Sequence, residues 1–265
     1  MKKAAIINSI KQATDIKDLV SAFIVPVEGL SSNYEVSFSI DDIKKLKSLD
    51  KEIFVSINKN IHNSELEFLE SVLLEIEALN ITGIIFYDIG VLNIKKRLSL
   101  KTPLVWAQEH LTTNYVTINY WQDKGCEYAY LSSEITKEEM DEIREKTSSK
   151  LFVLVFGHIP MFTSRRHLID NYKNYFSLDS SKGRNTLHKE DKKYPIIDKK
   201  EGTSVFSDYI LNATDLDFSS FDYTVYNSYL IDDNDFLSVL KGKNVFPYEH
   251  GFLYQETIYK VKRND

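Results

Sequence analysis

The 265 residues include 43% hydrophobic and 27% charged side chains, 9 Gly, 5 Pro and a single Cys. That composition excludes a disordered or collagen-like chain. One cysteine excludes an internal disulfide and any metal or iron–sulfur site built from several cysteines of this chain. The 33 Lys and Arg against 39 Asp and Glu give a net charge of −6, an acidic average that speaks against nucleic-acid binding over the whole surface.

The N-terminus opens Met1-Lys2-Lys3, and the apolar run Ala4 to Ile7 is shorter than the roughly 7–15 residues of a signal-peptide core. No stretch approaches the roughly 18 apolar residues of a membrane span. The expected location is cytoplasmic, with no membrane partner.

Short apolar runs then alternate with amphipathic ones. In chain order the apolar runs are Ala4–Ile7, Ala22–Val27, Ile53–Ile57, Ile84–Tyr87, Leu104–Trp106, Tyr128–Leu131, Leu151–Phe156 and Tyr223–Tyr226. They are rich in Ile, Val, Phe and Tyr, and several are continuous, which suits strands covered on both faces. Between them the spacing predicts helices near 41–49, 64–79, 91–98, 112–124, 137–146 and 233–241. Ser64 with Glu67, and Thr136 with Glu139, have the spacing of capping boxes. Strand followed by helix, eight times over, predicts an α/β fold, and eight strands favour a TIM-like (β/α)8 barrel as one domain over residues 1–265.

The alternation breaks between about 165 and 215, so an irregular insertion is expected after the seventh strand. Arg165 to Lys200 holds ten Lys and Arg against five Asp and Glu, a local +5 that leaves −11 for the rest. Tyr172, Tyr175 and Phe176 punctuate it. A connection this long is usually functional.

Sites in barrels form beyond the carboxyl ends of the strands. There the sequence places Glu28, Asn58, Asp88, Gln108 with Glu109 and His110, Ser132 to Glu134, His158, and then Arg166 and His167. Asp88 and Glu134 could equally cap the helices that follow. Glu28 could be a solvated loop residue, and His110 and His158 structural, hydrogen-bonded histidines. Arg166 could serve only in an ion pair with Asp88, Glu134 or a loop carboxylate. Together these residues suit a polar ligand and specify no reaction. No G-x-S-x-G, H-E-x-x-H or Walker A pattern occurs. Cys126 lacks an electropositive setting, and His158, His167 and His188 match no compact zinc spacing.

The stretch Phe156 to Tyr172, FGHIPMFTSRRHLIDNY, resembles the signature of the U32 peptidase-like family, the collagenase-like protease group. In that family the seventh strand is followed by a Gly-containing turn, a Pro and a Ser-x-Arg-Cys-Leu run, which Gly157, Pro160, Ser164, Arg166 and Leu168 match. The likeness is collinear along the chain. It takes in Asn58, Asp88-Ile-Gly90-Val-Leu, Gln108 (with His110 in place of Asn), Tyr120-Trp121, Gly125, Glu134 (with Ser133 in place of Arg) and Lys182-Gly183-Arg184. The resemblance implies a TIM-like barrel with an insertion after the seventh strand. It also implies either peptidase activity or oxygen-independent hydroxylation of tRNA uridine, ribosomal RNA cytidine or a ubiquinone precursor, with an iron–sulfur cluster held by four cysteines.

The departures fall on those cysteines. His167 and Asn185 stand at two of them, and none occurs around Lys189. No cofactor is therefore expected in this chain, and a cluster is expected only in a cysteine-bearing U32 partner. Three readings follow. In the first, the chain is a cluster-less accessory subunit of tRNA hydroxylation that binds tRNA through Lys182, Arg184, Lys189, Lys192 and Lys193 with the nearby aromatics. In the second, it is a collagenase-like peptidase. In the third, it is a non-catalytic barrel that holds a small anionic ligand on Arg166 and His167.

Overall fold

The computed structural model describes residues 1–108, 110–178 and 185–255. Seven parallel strands come in direct succession: β1 (Lys2–Ile6), β2 (Ala22–Pro26), β3 (Glu52–Ile57), β4 (Gly83–Phe86), β5 (Leu104–Trp106), β6 (Tyr128–Tyr130) and β7 (Lys150–Gly157). Five further strands, β8 (Pro160–Ser164), β9 (Asn185–Lys189), β10 (Lys192–Lys199), β11 (Gly202–Phe206) and β12 (Leu211–Asn212), intervene before β13 (Tyr223–Asn227). Strand β13 pairs in parallel with both β7 and β1, and closes an eight-stranded barrel. All eight predicted apolar runs coincide with barrel strands.

The strands read as continuous apolar runs because both faces are covered. Inside, Phe54, Phe152 and Tyr223 pack with ring centroids 4.3–5.3 Å apart. Outside lie α1 (Ile10–Ile16), α2 (Ile40–Lys47), α3 (Leu66–Leu79), α4 (Ile89–Leu98), α5 (Tyr115–Asp123) and α6 (Lys137–Lys146), and after β13 comes α8 (Asp233–Leu240). Stacking of Trp121 on Trp106 at 3.9 Å fixes α5 against the barrel wall.

Polar caps set several helix starts: Ser9 for α1, Ser39 for α2, Asp88 for α4 and Asn114 for α5. The Thr136–Glu139 capping box forms as its spacing predicts. The Ser64–Glu67 box does not. Helix α3 starts at Leu66, and the box lies earlier, where Glu65 accepts from the His62 N–H at 2.9 Å. Glu65 takes that role because Lys59 and Arg165 already hold its carboxylate in place. Helix α1 has no counterpart among the predicted helices. It is two turns long and buries only Gln12, Ala13 and Ile16, too few positions to show a period.

The insertion is more regular than the expected irregular segment, and its strands begin at Pro160, ahead of Arg165. Strands β8, β11, β10 and β9 form an antiparallel sheet in that order, and α7 (Leu168–Tyr175) packs on β10 and β11. The sheet escaped the sequence because β8, β9 and β10 bury little and β11 (GTSVF) is short and mixed in character. Every residue of β9 is at least partly exposed, whereas seven of the eight in β7 are buried. No helix among the described residues is long and apolar enough to cross a membrane.

Candidate functional site

The carboxyl ends of the barrel strands surround a cleft that encloses about 730 Å³, partly open to solvent. Its floor is apolar: Ile6 from β1, Ile85 from β4 and Leu154 from β7. The polar groups stand on the loops. Asn58 follows β3, His110 follows β5, Ser132 to Glu134 follow β6, and Asn227 ends β13.

Gly157 ends β7 beside this rim with φ +119, and a Cβ there would lie 2.6 Å from both the Cβ and the carbonyl oxygen of Asn227. Only glycine lets β7 and β13 close at this point. Asn227 uses the closeness: its Nδ2 donates to the His158 carbonyl at 3.2 Å.

Of the nine candidate pocket residues, three line this cleft. Asn58 is 9% exposed, and its Oδ1 accepts from the Ser32 N–H at 2.9 Å, which ties the β2–α2 loop to the rim. His110 Nδ1 lies 3.2 Å from Glu134 Oε1, and both side chains are about half exposed. A carboxylate at this distance orients the imidazole, so the pair presents an imidazole and a carboxylate together at the rim, the residue types of general acid–base work. Among the described residues no Lys or Arg lines the cleft. An anion here would meet the Glu134 carboxylate and no fixed cation.

The other six lie elsewhere. Asp88 caps α4, accepting from Gly90 N–H at 2.8 Å and from Ile61 N–H at 3.1 Å. His158 is buried, with Nδ1 3.0 Å from the Ser207 carbonyl oxygen. Gln108 is held by its main chain, which exchanges hydrogen bonds with the Thr112 hydroxyl. Glu28 is exposed on a separate groove between α2 and α3. Arg166 is exposed on the inserted sheet and forms no ion pair with Asp88 or Glu134. His167 Nδ1 faces Asp198 Oδ1 at 3.2 Å.

The neighbouring Arg165 is the engaged arginine. It donates to Glu65 at 2.7 and 3.0 Å and to the Asn60 carbonyl at 2.6 Å. Glu65 also pairs with Lys59 at 2.6 Å, and the Arg165 guanidinium beside it, helped by Lys59, holds its carboxyl down at about 2 against the cost of burial. A second anchor lies at Asn33, whose Oδ1 accepts from the Ser204 hydroxyl at 2.8 Å and from the Thr163 hydroxyl. Lys199 Nζ donates to the Tyr34 carbonyl at 2.9 Å, and burial lowers its pKa. These contacts hold the inserted sheet against the β2–α2 and β3–α3 loops, and the leading residues Ile159 and Pro160 wall one side of the cleft.

Sequence reasoning missed Asn33, Tyr34, Tyr130 and Asn227 in the cleft. Asn227 directly follows the last apolar run and could have been found by the rule that found Asn58. Asn33 and Tyr34 sit in a loop with no pattern of its own.

The residues present do not fit a four-cysteine cluster. Cys126 is 2% exposed and lies between α5 and β6, at the opposite end of the barrel from the cleft. Burial pushes its thiol up to about 12, so it is neither a ready ligand nor a nucleophile. His167, at a family cysteine position, lies with Asp170 and Asp198 so that one ligand atom of each falls within 4.8 Å of the others. The Asp198 carboxylate is accounted for by the start of α7, where it accepts from the Ile169 and Asp170 N–H groups. His158 and His188 do not join that group. Glu109, Lys182, Gly183 and Arg184 lie outside the described residues. Lys189, Lys192 and Lys193 are exposed on the β9–β10 hairpin, and Lys192 reaches Asp208 at 3.3 Å.

The chain is similar to tRNA hydroxylation protein P2 of Bacillus subtilis (strain 168), at 27% identity over 223 residues covering 78% of this chain and 72% of that protein. It is also similar to tRNA hydroxylation protein P1 of the same organism, at 24% identity over 159 residues, 58% of this chain and 37% of that one. Among solved structures, a chain of the tryptophan synthase complex from Pyrococcus furiosus aligns with a TM-score of 0.46 at 13% identity, over 91% of this chain and 95% of its own. The model of peptidase family U32 matches residues 32–221, from the loop that holds Asn33 through the whole inserted sheet to the approach to β13. With the barrel, the insertion and the rim all inside or beside that span, the chain belongs to peptidase family U32.

Proposed function

We propose that this protein serves tRNA hydroxylation as a subunit without a cluster, working beside a cysteine-bearing member of the same family. The observation that carries this reading is its similarity to tRNA hydroxylation protein P2 over 72% of that protein, in a chain whose one cysteine is buried away from the cleft. A cluster needs several accessible thiolates, and this chain offers none. In this division of labour the partner carries the redox chemistry. The present chain contributes binding and, through the His110–Glu134 pair, proton handling at the rim of its own cleft. Hydrolysis is less well supported, because among the described residues neither Ser132 nor Ser133 of the cleft is hydrogen-bonded to a base. The Ser132 hydroxyl oxygen accepts the Glu134 N–H at 3.2 Å.

The test is nucleoside analysis of tRNA from a strain lacking the gene. Hydroxylated uridine falls below the level in the parent strain and returns when the gene is restored. Unchanged tRNA, with the cysteine-bearing relative fully active alone, refutes the reading.

A further inference from the structure

The strand registers of the inserted sheet sort its residues by face. Thr163 and Ser204 bond Asn33, so they point toward the barrel. Thr203 and Asp198 bond the start of α7, so they point away from it. Pairing carries that outer face across the sheet. Val205 lies opposite Phe162, Tyr194 opposite Leu187, and Lys192 opposite Lys189. The face turned from the barrel therefore carries Phe162, Leu187 and Tyr194, with Lys189 and Lys192 at its hairpin end.

Helix α7 lies on this same face and adds three rings. Tyr172, Tyr175 and Phe176 are 57, 82 and 55% exposed, and Phe176 packs against both tyrosines at 4.8 Å. Phe162 and Leu187 are about half exposed. Rings and apolar side chains left in water on one surface mark an interaction site. The charge selects its occupant. The segment from Arg165 to Lys200 carries +5 on a chain of net −6, Lys189 and Lys192 stand on this face, and Arg166, Lys173 and Lys189 form no ion pair among the described residues. Lysine and arginine neutralise phosphates, and exposed rings stack on unpaired bases whatever their sequence. A double-stranded helix offers a protein surface little base face, so rings serve only an unpaired segment.

We propose that the outer face of the inserted sheet, with α7, is a docking surface for unpaired RNA. This rests on the proposed role in tRNA hydroxylation and adds where the RNA is held. Tyr172, Tyr175 and Phe176 form the stacking platform, and Lys189 and Lys192 at the hairpin end take the backbone.

Fluorescence anisotropy with the full chain and a labelled unpaired 12-mer RNA tests it, with the same sequence as a duplex for comparison. The single strand binds more tightly than the duplex. Tyr172→Ala with Tyr175→Ala weakens it roughly tenfold or more, and Lys189→Ala with Lys192→Ala flattens its salt dependence. Both pairs are exposed, and an unchanged melting temperature shows that each variant is folded. Binding by the tyrosine variant equal to the wild type overturns the proposal. So does a concentration-dependent dimer, seen by sedimentation, that the tyrosine variant abolishes, because the face would then be a protein contact. Restored tRNA hydroxylation by the tyrosine variant in the deletion strain sinks this surface but leaves the proposed role standing. Failure of the wild-type gene to restore it removes the role itself.

Discussion

The barrel and the inserted sheet are held together in opposite ways. In the barrel, strands buried on both faces supply a single apolar core, and its rings interlock inside it. Among the described residues of the inserted strands Ile196, Gly202, Thr203, Ser204 and Phe206 are buried, and the outer face leaves Phe162 and Leu187 half in water. Its position depends on specific polar contacts: Arg165 and Lys59 on Glu65, Ser204 and Thr163 on Asn33, Lys199 on Tyr34. Burial is non-directional and fixes the scaffold, whereas hydrogen bonds fix the sheet's placement over the cleft. A surface that must stay open to a partner cannot also be a core.

Substitutions separate the two regions, the largest effect coming from the barrel. Phe152→Ala removes a fully buried ring and costs about 3–5 kcal/mol, which lowers the melting temperature by roughly 10 °C in a calorimetric scan. Glu65→Gln acts at the seam. It leaves Lys59 nearly buried without its carboxylate, costs on the order of 2 kcal/mol, and raises hydrogen exchange in the inserted sheet more than in the barrel.

The same seam responds to pH. The folded carboxyl of Glu65 sits at about 2, below its ordinary 4.5, so its stabilisation is complete above 4.5 and is lost as pH falls toward 2. Urea midpoints between pH 6 and 3 show this loss in the wild type and a shallower one in Glu65→Gln. Glu134→Gln changes stability by less than about 0.5 kcal/mol, since its side chain is half exposed. It lowers hydroxylated uridine in tRNA when it replaces the wild type in cells. Tyr175→Ala, at an 82% exposed position, leaves the melting temperature unchanged.

The barrel was legible because its signal is burial. All eight strands follow from continuous Ile, Val, Phe and Tyr runs, and helices such as Lys137–Lys146 follow from a capping box and a period. The site was legible only in part. Position after a strand found Asn58, His110 and Glu134. The same rule also gathered Asp88, which caps a helix, and His158, which is turned to the Ser207 carbonyl. Which way a rim side chain points is decided by nearby backbone donors, and these depend on loop geometry that carries no period. Arg166 and Arg165 show the limit. Two adjacent arginines are equivalent as sequence, yet the turn after β8 sends one to Glu65 and the other into water.

The central claim is that this chain serves tRNA hydroxylation with no thiolate of its own. The level of hydroxylated uridine in tRNA from the deletion strain, complemented with Cys126→Ala and with the wild type at matched soluble amounts, tests it most directly. The account predicts equal restoration by the two. Restoration by the wild type with none by a folded Cys126→Ala protein would contradict it.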